Sequence, residues 1–208
     1  MQKFAILFGT FNPIHYGHLA IANAAREQYN LNKVFFVPSF KPPHRNDNPI
    51  EAKLRLEMVH LAIKDNPFFS ILDIEIQRQG ISYSIDSIHE INKLIDYPHQ
   101  LYLIIGADNI NKFSTWHNYK EILNLCKLLI APRNDILIDY NLNRKYFIKW
   151  LRSQKLPQEI YQNIEPILLP SNNLSSSYIR EKITARQSIK YLVPEMVINF
   201  INEQKLYR

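Results

Sequence analysis

Lys3-Phe4-Ala5-Ile6-Leu7-Phe8-Gly9-Thr10-Phe11-Asn12-Pro13-Ile14-His15-Tyr16-Gly17-His18 stands near the start of the 208-residue chain and decides how the rest is read. An apolar run of strand length stops at Gly9, Pro13 fixes a turn, and Leu19-Ala20-Ile21-Ala22 begins a helical pattern. Lys3–Phe8 is therefore expected as a buried strand and His18–Tyr29 as a helix with a small-residue face. Lys33–Val37, rich in β-branched and aromatic residues and stopped by Pro38, is expected as a second strand. Strand, helix and strand in this order imply a right-handed crossover and a parallel pair.

The same alternation continues outward. Ser39–Pro49, with its prolines, reads as a surface loop, and the spacing of Leu54, Met58, Leu61 and Ala62 predicts an amphipathic helix over Glu51–Lys64. Phe68–Ile76 is expected as a strand, Ser84–Ile95 as a helix, Leu101–Ile105 as a strand, Tyr119–Leu125 as a short helix and Leu128–Ala131 as a strand. A helix over Tyr146–Ser153, a last strand over Ile167–Leu169 and closing helices over Ser175–Ala185 and Pro194–Glu203 complete the pattern. No repeat or linker divides it, so a single domain over 1–208 is expected: α/β, a doubly wound and mostly parallel sheet with C-terminal helices.

Composition narrows the function classes. Hydrophobic residues at 46% and charged residues at 21% describe an ordinary globule. No apolar run approaches the roughly 20 residues that cross a bilayer, and the first strand is too short for a signal-peptide core. The single cysteine, Cys126, lies in an apolar stretch and reads as a small buried hydrophobe. A cytoplasmic protein is the expectation. The net charge of +6 suits an anionic partner, but Lys and Arg are scattered, which argues for phosphate-bearing small molecules and against a long nucleic-acid footprint.

In doubly wound sheets ligands sit beyond the carboxyl ends of the strands, and the first strand delivers Gly9 to His18 to that edge. The mouth of the following helix presents amides and the positive end of its dipole, so it favours an anion, with Gly17 allowing close approach. His15 and His18, three apart, can face one phosphate as donors. A pair at this spacing is also a common surface pair or helix cap. The surrounding strand, glycine, fixed turn, glycine and helix are what favour phosphate.

Four further segments reach the same edge. Lys41, His44 and Arg45 are donors on a proline-stiffened loop, suited to polyphosphate. Ser84 is an N-cap candidate, and amides at Ser84 and Ile85 could hold a carboxylate or amide. Asp108, just after the strand Leu101–Ile105, is placed to accept from ribose hydroxyls. Trp116 is core packing by pattern, or a stacking surface. Arg180 follows Ser175-Ser176-Ser177 in the first turns of a helix, where a cation costs about 0.3–1 kcal/mol unless an anionic ligand shares the site.

Gly9 to His18 resembles the HxGH-type signature of the nucleotidyltransferase superfamily, and particularly of bacterial nicotinate mononucleotide adenylyltransferases. Their usual Gly-Gly-Thr-Phe-Asp-Pro-Ile-His is met here with Phe8 for the first glycine and Asn12 for the Asp. Pro38 to Arg45, Arg78 to Asp86 and Leu174 to Arg180 resemble further segments of that family, so the likeness runs over nearly the whole chain. It implies a Rossmann-like nucleotidyltransferase fold and transfer of AMP from ATP to nicotinate mononucleotide, giving nicotinate adenine dinucleotide and pyrophosphate.

The resemblance implies His15, His18 and Arg180 as catalytic, with Gly9, Thr10, Phe11, Gly17, Lys41, His44, Gly106, Asp108, Ser176 and Ile179 around ATP. Ser84, Ile85, Asp108, Trp116 and Arg133 would take the mononucleotide, with the Trp stacked on the nicotinate ring and the Arg on the phosphate. Mg²⁺ would arrive with ATP and no dedicated protein metal site is expected. A nicotinamide acceptor, a phosphopantetheine acceptor and a non-catalytic nucleotide- or RNA-binding module stay open as alternatives, as does homo-oligomer formation.

Overall fold

A computed structural model of the chain describes residues 1–41, 49–132, 144–170 and 173–208. Among these, six strands form one sheet: β1 (Gln2–Gly9), β2 (Lys33–Pro38), β3 (Phe69–Ile71), β4 (His99–Gly106), β5 (Cys126–Ala131) and β6 (Ile164–Pro166). Their order is β3-β2-β1-β4-β5-β6, and every pairing is parallel. The chain thus winds outward from β1 in one direction, returns, and winds outward from β4 in the other. The crevice between the carboxyl ends of β1 and β4 is the switch point where such sheets bind ligands.

The helices are α1 (Tyr16–Tyr29), α2 (Ala52–Ile63), α3 (Ile74–Arg78), α4 (Ser84–Leu94), α5 (Tyr119–Leu125), α6 (Arg144–Ser153), α7 (Gln158–Tyr161), α8 (Ser176–Thr184) and α9 (Glu195–Glu203), with a 3-10 helix over Ala107–Thr115. Alternation along each strand sorts side chains into two cores. Ala5, Leu7, Tyr102, Ile104 and Leu129 face α1, α2, α8 and α9, meeting Ala22, Met58, Ile179 and Val197. Phe4, Ile6, Leu101, Leu103 and Leu128 face the other way, meeting Ile88, Phe113, Ile122 and Trp150. Both faces of the sheet are covered, which is why its strands read as continuous apolar runs.

Two expected strands are corrected. Only Phe69–Ile71 of the stretch Phe68–Ile76 is a strand; Ile74–Arg78 is a helix. Apolar residues at Ile74 and Ile76 suit either period over so short a span. The last strand is Ile164–Pro166, just before the expected Ile167–Leu169. Its pairing with β5 ends at Ile130↔Pro166, and a proline is tolerated there because the strand lies at the sheet edge. Pro194 is the N-cap of α9, one position before the expected first helical residue.

Cys126 begins β5 and is 2% exposed. Burial pushes its thiol from 9.0 up to about 12. Because the folded value is the higher one, this contribution to stability is complete below pH 9 and is lost as pH rises toward 12, by about 1.4 kcal/mol per pH unit. The native protein is expected to resist an aromatic disulfide reagent at pH 8 and to react once unfolded. Rapid labelling of the folded protein would contradict this burial.

Candidate active site

A cavity of about 560 Å³ lies over the switch point. Its floor is made by the strand ends: Leu7 to Gly9 of β1, Ile104 to Gly106 of β4, and Ala131 of β5 with Pro132 after it. Helix N-termini line its walls. α1 contributes His15, Gly17 and His18, α4 contributes Tyr83 and Ser84, and α8 contributes Ser175, Ser176 and Ser177. Each brings the positive end of a helix dipole, so the cavity favours anions in more than one place. A broader hollow of about 880 Å³ beside α9 touches the motif only at Tyr16.

The turn out of β1 is held against its own preferences. Phe11, 2% exposed, has φ 48, a left-handed conformation that costs a bulky residue about 1–3 kcal/mol. Asn12-Pro13 is cis. A Cβ on Gly9 would lie 2.8 Å from the Phe11 ring, and one on Gly17 would lie 2.9 Å from His15 Nδ1. Gly17, expected to admit a ligand, is thus needed first to admit the His15 ring.

The imidazoles of His15 and His18 stack with centroids 3.7 Å apart, and Phe11 meets His18 edge-on at 5.1 Å. His15 is the N-cap of α1 and His18 its third residue, the positions that reciprocate in a capping box. The His15 backbone N–H donates to His18 Nδ1 at 3.3 Å, which assigns the His18 proton to Nε2. A neutral His18 can therefore donate from Nε2.

Side chains distant in sequence brace this turn. Arg180 Nη1 donates to the Asn12 carbonyl at 2.8 Å, and Ser176 donates its hydroxyl proton to the Pro13 carbonyl at 2.8 Å. With its hydroxyl proton so committed, Ser176 can offer an anion its backbone amide. The Tyr207 hydroxyl donates to Asn12 Oδ1 at 2.8 Å. Burial pushes that hydroxyl well above its ordinary range, with Arg180 and Arg55 pulling the other way. Arg55, 1% exposed, gives Nη1 to the Thr10 carbonyl at 2.7 Å, Nε to Ile50 at 3.0 Å and Nη2 to Phe40 at 3.3 Å.

The opposite wall holds Ser84, Thr115, Trp116 and His117. Trp116 is half-buried and rests on Phe113 with centroids 5.3 Å apart, so packing and cavity lining coincide. Ser84 is the first residue of α4, and Tyr83 is the N-cap, a correction to the expected serine cap. Ser175 does cap α8, accepting from the Tyr178 amide at 3.2 Å.

The structure thus brings together Gly9, Thr10, Phe11, His15, Gly17, His18, Ser84, Gly106, Trp116, Ser176 and Arg180 in one cavity. Ile85 and Ile179 are buried in the two cores, so only their backbones are candidates for ligand contact. Lys41 is exposed and bridges to Ile81 beside the cavity. Asp108 is exposed in the 3-10 helix, and its neighbour Asn109 lines the cavity. His44, Arg45 and Arg133 lie outside the described residues. Sequence reasoning missed Arg55, Glu75, Ser82 and Tyr207; only an Arg at an apolar helix position hinted at the first.

Known proteins resemble this chain in sequence and in fold. A family model described as Cytidylyltransferase-like matches residues 6–182. A probable nicotinate-nucleotide adenylyltransferase of Thermoanaerobacter sp. (strain X514) is 38% identical, covering 99% of this chain and 94% of its own. Another from Moorella thermoacetica is 40% identical, with coverage of 99% and 92%. Among solved structures, Plasmodium falciparum nicotinic acid mononucleotide adenylyltransferase complexed with NaAD superposes with a TM-score of 0.76 at 19% identity, over 100% of this chain and 98% of that one. No helix among the described residues is long and apolar enough to cross a membrane.

Proposed function

The chain belongs to the cytidylyltransferase-like family, and from that premise we infer that it transfers AMP from ATP to the phosphate of nicotinate mononucleotide, forming nicotinate adenine dinucleotide and pyrophosphate. The observation that carries this reading is the convergence of the His15–His18 pair, Arg180 and three helix N-termini with Trp116 on one cavity. Anion-binding groups and an aromatic wall in one space suit two phosphorylated substrates, one of them with a pyridine ring.

A phosphate oxygen of the mononucleotide attacks the α-phosphorus of ATP, the bond from that phosphorus to the bridging oxygen breaks, and pyrophosphate leaves with the electron pair. With no covalent nucleophile assigned, alignment and charge neutralisation supply the rate. His18 donates from Nε2 to the α-phosphate, with His15 stacked behind it. Arg180, held at Nη1 by the Asn12 carbonyl and at Nη2 by the Ser177 hydroxyl, and the α8 amides near Ser176 receive the β- and γ-phosphates. Gly9, Thr10, Phe11 and Gly106 shape the ATP floor, and the polyphosphate is assigned to Lys41 and His44 as further donors.

On the other wall, the α4 N-terminus at Ser84 and Ile85 holds the nicotinate carboxylate and Trp116 stacks on the ring; the ribose is assigned to Asp108 and the mononucleotide phosphate to Arg133. A divalent cation, Mg²⁺, travels with ATP and offsets its negative charge. Residues 1–208 work as one catalytic unit, in a cytoplasmic setting.

The test is acceptor choice: kcat/KM with nicotinate, nicotinamide and phosphopantetheine acceptors offered separately. The nicotinate acceptor should lead by at least about tenfold, since a helix N-terminus favours a carboxylate over an amide. Equal or better use of another acceptor would overturn the assignment of the Ser84 wall.

A further inference from the structure

Glu75 is a carboxylate buried to 2% exposure in the wall of the cavity, and no step above uses it. It sits in α3, where the sequence pattern suggests a strand. The Ser87 hydroxyl donates to its Oε1 at 2.7 Å, and the Ser82 side chain stands beside the carboxylate in the same cavity wall. Burial raises its proton affinity, while these hydroxyls and Arg78 act in the opposite direction. An apolar side chain of similar volume would avoid that desolvation cost. What the carboxylate contributes is therefore sought in position.

Ser82 is where two parts of the site meet. Its Oγ accepts the backbone N–H groups of Phe40 at 3.1 Å and Lys41 at 3.3 Å, and its own N–H donates to the Lys41 carbonyl at 3.0 Å. A hydroxyl has one proton to give. Its lone pairs face the two loop amides, which turns its proton toward the acceptor-only carboxylate beside it. The chain of bonds runs in one sense, from loop amide to hydroxyl to carboxylate. On the other side, Ser87 accepts from Arg78 Nη2 at 3.0 Å while donating to Glu75, and Arg78 is also ion-paired with Glu90, which fastens α3 to α4.

We propose that Glu75 is a positioning residue that locks the loop carrying Lys41 to the helix end carrying Ser84, acting through the Ser82 hydroxyl. The proposal rests on the two-substrate reading above: Lys41 lies on the ATP side and Ser84 on the acceptor side. A glutamine cannot replace Glu75, because its NH₂ is a donor and can serve only one of the two serines as the carboxylate does.

The experiment compares Glu75→Gln, Ser82→Ala and the double variant with the parent protein. Dissociation constants for ATP and for nicotinate mononucleotide are measured by calorimetry, kcat/KM by pyrophosphate release, and Tm by thermal melting. Glu75→Gln is expected to weaken both affinities about tenfold, the size of one lost charge-assisted hydrogen bond. Ser82→Ala should do the same, and the double variant should be no worse than either single one. Full additivity of the two losses overturns the proposal, as does a lowered Tm with both affinities unchanged. If Glu75→Gln does not fold, unaltered affinities in Ser82→Ala overturn it. Parent protein that binds both ligands without turnover would sink the transfer reading and leave the positioning test intact.

Discussion

Replacing His18 with alanine is expected to lower kcat by about 10²–10³, the usual loss on removing one preorganised donor from developing charge. The His15 backbone N–H occupies His18 Nδ1 at 3.3 Å and leaves Nε2 as the donor. Stacking on His15 at 3.7 Å and the Phe11 edge at 5.1 Å hold the ring in that orientation before substrate arrives. A donor fixed in advance acts mainly on the transition state, so kcat should fall far more than the KM values rise. Stability should change little, by about 1 kcal/mol for the lost capping partner. Steady-state kinetics at saturating ATP and acceptor decide it: kcat within about threefold of the parent would remove His18 from the chemistry.

Arg55→Met is the second large expected effect, and it is read in stability. The guanidinium is 1% exposed and ties the carbonyls of Thr10, Phe40 and Ile50 together. Methionine fills part of the space but leaves those carbonyls without their charged donor. Hydrogen bonds to charged groups contribute about 1.5–3 kcal/mol each and do not simply add, so a net loss of about 3 kcal/mol is expected. For a chain of this length that is about 6–12 °C in Tm. Thermal melting measures it directly, and a shift under 2 °C would show that the three carbonyls do not depend on Arg55.

Which of these features could be read in the sequence follows from how local each one is. The exit from β1 could be read, because strand, glycine, proline and helix mouth lie within Lys3 to His18 and each constrains its neighbour. The Ser175 cap and the apolar faces of α4 and α9 are local in the same way. Arg55 to Thr10, Tyr207 to Asn12 and Glu75 to Ser87 join residues by folding alone, and no spacing announces them. Tyr207 lies 195 positions from the Asn12 it braces. Short apolar runs misled for a different reason. Ile74 and Ile76 fit a strand as well as a helix, and the edge strand Ile164–Pro166 carries a glutamate and a proline that hide it. Gly17 is needed at the helix mouth for a further reason that no spacing announces: the His15 ring occupies the space beside it.

AMP transfer at the cavity over the β1–β4 crevice is tested most directly by the mass of the product. Purified protein with ATP, Mg²⁺ and nicotinate mononucleotide should yield one pyrophosphate for each nicotinate adenine dinucleotide, with both products falling together in the His18→Ala variant. Pyrophosphate without dinucleotide, or no consumption of ATP while both ligands bind, would contradict it.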